Sequence, residues 1–104
     1  MVTVTEVKMH ETNNYYRQAT TLFLNFNKER KKVPLPKNEE TIKAFLRELK
    51  EGYPNNKPKA QGTVKAKLVA IRNLYKLNGV EDVDFDSLYK FVPQLFQTQE
   101  QQAS

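Results

Sequence analysis

Apolar residues recur at helical spacing in four separate stretches of this chain, and prolines or glycines stand in the gaps between them. That pattern limits the fold more than any other feature, because a period near 3.6 buries one face of a helix and cannot alternate across a sheet. Tyr15, Ala19, Leu22, Phe23 and Phe26 make the first stripe, on a helix expected from Thr12 to Arg30 with Thr12 or Asn13 as its cap. Pro34 and Pro36 stop it, since they lack donor N–H groups and push their predecessors to extended geometry. Asn38, Glu39 and Glu40 open a second helix that buries Ile42, Phe45, Leu46 and Leu49 and ends at Gly52. The turn-rich run "YPNNKP" leads to a third, from Gln61 to Asn78, which turns Val64, Leu68, Ile71 and Tyr75 inward before Gly79 ends it.

A fourth stripe, Phe85, Leu88, Tyr89, Val92, Leu95 and Phe96, contains Pro93, so either the helix kinks there or a new one begins. The one alternating run, "VTVTEV" at residues 2 to 7, suits an extended arm. The expectation is therefore all-α: a compact four-helix bundle over residues 12–97, an N-terminal arm over 1–11, and a flexible tail over 98–104 with nothing to bury.

A length of 104 residues allows one small domain and argues against a multi-step enzyme. No cysteine is present, which removes disulfides, thiolate metal sites and cysteine nucleophiles. Glycines 52, 62 and 79 are isolated, so no phosphate-cradling loop forms, and the paired acids Glu39/Glu40 and Asp84/Asp86 stand where helix starts explain them. Asp82, Asp84 and Asp86 lack the glycine and terminal glutamate of a calcium loop. No metal and no cofactor is expected. Neither a secretory leader nor a run of about 18 apolar residues is visible, so an intracellular location is expected and no membrane partner.

The distribution of charge says more than the net value of +5. Residues 28–37 carry five basic side chains against one acid, and residues 57–76 carry six against none, whereas residues 81–86 carry four acids. Solvated faces usually mix signs, so a helix with one side in a core and acid-free lysines elsewhere points to an anionic partner, duplex DNA first.

The order of parts, "NNYYRQATTLFLNFNKER", a proline-marked turn, "NEETIKAFLREL" and "AQGTVKAKLVAIRNLYKLNG", resembles the core-binding domain of tyrosine recombinases and phage integrases. The matching positions are Tyr15, Ala19, Phe23 and Phe26, then Ile42, Phe45, Leu46 and Leu49, then Thr63, Val64, Leu68, Ile71, Arg72, Leu74 and Tyr75. The ending "IRNLYKLNG" is also similar to the eukaryotic crypton-like relatives of that family.

The resemblance implies a SAM-like bundle forming half of a clamp on duplex DNA, with helices one and three facing the major groove and its phosphates. It places Thr12, Asn14, Arg17 and Thr21 of helix one, and Lys59, Gln61, Thr63, Lys65 and Lys67 around helix three, on the DNA side. It implies no catalysis in this chain, because the tyrosine nucleophile of the family belongs to a separate domain, and Tyr15, Tyr75 and Tyr89 fall on core stripes here. It places the protein in the cytoplasm or nucleoid for a prokaryotic or viral origin and in the nucleus for a eukaryotic one. The rival expectation is a protein-interaction module that docks on a neighbouring protomer through Leu88, Phe91, Val92, Leu95 and Phe96.

Overall fold

Most of the helices begin and end where local chemistry satisfies their free backbone groups. In the computed structural model, which describes residues 7–9, 13–53 and 55–103, α1 spans Asn14–Glu29, α2 Glu39–Glu51, α3 Gln61–Leu77 and α4 Phe85–Ala103. Asn13 caps α1, its side chain accepting from the Tyr16 N–H at 3.0 Å, and Asn38 caps α2 by accepting from the Glu40 N–H at 2.8 Å. Asp84 accepts from the Ser87 N–H at 3.1 Å and so opens α4.

The ends of α1 and α3 share one device. The Lys32 N–H donates to the Asn27 carbonyl and the Lys31 N–H to that of Lys28, at 2.8 and 3.0 Å. At α3 the Val80 N–H donates to Tyr75 and the Gly79 N–H to Lys76, at 2.9 and 3.1 Å. Both are Schellman caps, which need one residue in the left-handed region. Gly79 supplies it at φ +73° for α3, but at α1 the position is held by Lys31, at φ +59°.

The proline segment between α1 and α2 is tied down through its carbonyls, since its prolines have no N–H to offer. The Asn27 amide donates to the Pro34 carbonyl at 3.1 Å, and the buried Tyr75 hydroxyl donates to the Pro36 carbonyl. Pro93 breaks nothing: α4 runs through it as one helix and continues past residue 97 into the segment expected to be a tail.

The core gathers Phe23 and Phe26 of α1, Ile42, Phe45, Leu46 and Leu49 of α2, Val64, Leu68, Ile71 and Tyr75 of α3, and Leu88 and Val92 of α4. Phe45 sits edge-on to both Phe23 and Phe26, with 5.1 Å between centroids in each pair. Helix α3 meets all three other helices, and α2 also meets α4. Its buried arc is accordingly wider than one stripe, for Ala70 and Leu74 are inaccessible too. The result is a compact all-helical globule with no strand among the described residues.

One assignment is corrected. Tyr15 is not in the core; it is 44% exposed, because its position on α1 faces the edge of α3 rather than the α2 aromatics. The arm expected at 1–11 lies largely outside the described residues. Lys8 is held at the end of α3, where its N–H donates to the Asn78 side chain at 2.7 Å and its carbonyl accepts from the same side chain at 3.0 Å.

Candidate nucleic-acid interface

Asn14, Arg17 and Thr21 stand at i, i+3 and i+7 of α1, so helical geometry sets them in one line, and all three are exposed. The Arg17 guanidinium donates to the Asn14 side-chain oxygen at 3.1 Å, which orients both. Gln18, Asn25 and Lys28 continue the line with the period of the buried stripe, half a turn away from it, and no acid interrupts it. Thr12 lies outside the described residues.

A second basic group forms where the chain approaches α3. The Lys59 ammonium donates to the Lys57 carbonyl at 2.9 Å and more weakly to that of Tyr53 at 3.4 Å, which curls this side chain back over its own loop. The Lys67 ammonium lies 5.2 Å from the centroid of the Tyr15 ring, a cation–π contact joining α1 to α3. Burial lowers the Lys67 pKa from its usual value, and the charge of Lys59 lowers it further. Thr63, one turn before Lys67, is half-buried on the same side of α3. No side chain caps the amino end of α3, so its first-turn N–H groups add a partial positive charge beside Lys57 and Lys59.

The structure does not gather all the expected residues on one face. Gln61 and Lys65 line a separate hollow with Val69, Tyr89, Val92 and Pro93, on the side of α3 that α4 covers. Lys67 and Lys65 therefore flank α3 rather than share a surface. The residues that periodicity alone would have added are Gln18, Asn25 and Lys28, which repeat the spacing of Asn14 and Thr21; Lys31 and Lys32 follow in the loop.

Carboxylates are engaged elsewhere. Among the described residues, Glu29 and Glu48 pair with Arg30, Glu40 with Lys43 and Arg47, and Asp82 with Lys37, the last at 2.8 Å. None pairs with Arg17, Lys57, Lys59 or Lys67. Glu81, Asp84 and Asp86 line a hollow with Arg72 and Lys76 near the carboxyl end of α3, the opposite end from Lys57 and Lys59.

Of the five residues expected to dock through α4, two lie in the core. Leu88 and Val92 are 0% and 1% exposed and belong to the core. Phe91, Leu95 and Phe96 pack partly against that core, with Lys43 and Arg47 over the Phe91 ring at 5.3 and 5.4 Å and Lys50 over Phe96 at 5.6 Å. The apolar stripe of α4 is thus divided between the core, at Leu88 and Val92, and a partly exposed margin, at Phe91, Leu95 and Phe96.

Comparison of the chain with protein-family models, with characterised proteins and with solved structures finds no match. Among the described residues no helix is long and apolar enough to cross a membrane, and no three metal-ligating side chains gather.

Proposed function

We propose that this chain is a non-catalytic DNA-binding domain that grips duplex DNA with α1 and the approach to α3, as the core-binding domains it resembles do in site-specific recombination and DNA integration. The observation that carries the reading is the Lys67 ammonium, set against Tyr15 between α1 and α3 and within electrostatic reach of Lys59, with no described carboxylate paired to either. Like charges held together in a partly desolvated place gain most from an anion that enters between them. A phosphate group supplies that charge, and a regular array of phosphates also reaches Lys57 and the free N–H groups at the start of α3.

In this reading Lys57, Lys59, Lys67 and Arg17 neutralise phosphates, while Asn14, Thr21 and Thr63 offer hydrogen bonds to base edges. Gln61 and Lys65, turned toward α4, contribute at the margin of the footprint. Four to six phosphates give a slope of log K against log salt of about −4 to −5, and binding falls in the nonspecific range of about 10⁻⁴ to 10⁻⁶ M at physiological salt. Leu88 and Val92 are unavailable to a neighbour, so docking through α4 is the weaker alternative.

The test is an amide NMR titration with a short random duplex at low and at high salt. Salt-sensitive shifts over residues 14–21 and 57–67 are expected. Shifts confined to α4, or none, would sink the proposal.

A further inference from the structure

A hollow of about 450 Å³ lies at the corner between α1 and α2, lined by Leu24, Asn25, Lys28, Lys31, Lys32 and Pro34. Its floor is apolar, and its charged groups are three ammoniums with donors and no acceptors. Among the described residues no carboxylate pairs with them, and Glu29, the nearest in sequence, turns away to Arg30 and Tyr53.

The corner is also held in shape. Lys31 occupies the left-handed position of the α1 cap, where the chain uses glycine at the corresponding position of α3. Asn27, wholly buried, fixes the loop from both sides, its carbonyl accepting from Lys32 and its amide donating to Pro34. A cation set against backbone preference, between two other cations on an anchored loop, points to an anionic ligand.

We infer that this corner is a second phosphate-binding site for the nucleic-acid backbone, an inference that rests on the DNA-binding reading above. Asn25 lines both this hollow and the shallow depression formed by Arg17, Gln18, Thr21 and Leu22, so the two make one acid-free track along α1. From Arg17 to Lys28 the helix rises by about 16 Å, the length of roughly five steps along one strand at about 3.4 Å each. Among the described residues no aromatic ring lines the corner, so it offers no stacking platform for unpaired bases, and lysines engage phosphate as point charges. An acidic peptide would meet the corner but leave the rest of the track unused.

The experiment compares wild type with K28Q/K31G/K32Q for binding a labelled random 20-base-pair duplex across a salt series, with a poly-glutamate peptide as a second probe. The glycine keeps the cap intact, and thermal unfolding verifies the fold. The triple variant is expected to bind duplex at least tenfold more weakly at 0.1 M salt, with a salt slope shallower by about 1.8, at about 0.9 for each of two lost phosphates. An unchanged slope in a variant that binds as wild type does would overturn the inference and leave the DNA reading standing. Unchanged duplex binding with loss of poly-glutamate binding would assign the corner to an acidic protein and also overturn it. If wild type itself shows no salt-dependent duplex binding, both readings fall together.

Discussion

Lys31 and Tyr75 sit at opposite extremes of what one residue can do for this fold. A side chain in the left-handed region costs about 1–2 kcal/mol; glycine there removes that strain but loses about 0.5–1 kcal/mol more backbone entropy on folding. K31G is therefore expected to stabilise the protein by about 0.5–1 kcal/mol in urea unfolding. A loss of stability would mean that the lysine side chain has native contacts that offset its backbone strain. Tyr75 works the other way, since its hydroxyl satisfies the Pro36 carbonyl from inside the core. Y75F is expected to cost about 1–3 kcal/mol, the usual penalty for orphaning a buried acceptor. Burial also pushes the Tyr75 pKa well above its normal value. A folded pKa above the unfolded one means stability is full below about pH 10 and declines above it, as the unfolded state ionises first. The alkaline decline should be shallower in Y75F.

At the scale of elements, each helix could be read from its caps and stripe, because those signals are local. Asn13, Asn38 and Gly79 perform the expected roles, and the stripes of α2 and α3 are buried as their spacing requires. N38A is expected to lose about 1 kcal/mol, measured by chemical denaturation, since it removes the acceptor for the Glu40 N–H while leaving α2 otherwise intact. What the sequence could not show is how many neighbours a helix has. One stripe was legible on α3, yet Ala70 and Leu74 are buried as well, because α1 covers a second side of it and α4 a third. Small residues and lysine stems suit such contacts without announcing them. For the same reason Lys65 and Lys67 look like one basic run but lie on different sides, and Tyr15 looks like core but meets Lys67 at the edge. The candidate site was thus visible as composition and only half visible as a surface.

At the scale of the whole molecule, separation of charge along α3 sets how far the acidic turn is felt at the basic end. Helix α3 has 17 residues, so its ends are about 25 Å apart at about 1.5 Å per residue. The screening length is about 8 Å at physiological ionic strength and about 30 Å at 0.01 M. Glu81 and Asp86, which neither pair with Lys37 nor cap α4, can be neutralised without disturbing the described ion pairs. On the DNA-binding reading, E81Q/D86N should consequently bind duplex within about twofold of wild type at 0.15 M salt, because the hollow that holds the removed charges is about two screening lengths or more from the amino end of α3. At 0.01 M the field of the missing acids reaches the basic end, and tighter binding is expected with little change in the number of phosphates engaged. Fluorescence anisotropy at the two salt concentrations separates these cases. A large gain at 0.15 M would show instead that DNA passes close to the acidic turn, which would move the footprint from the amino end of α3 toward Arg72 and Lys76 at its carboxyl end.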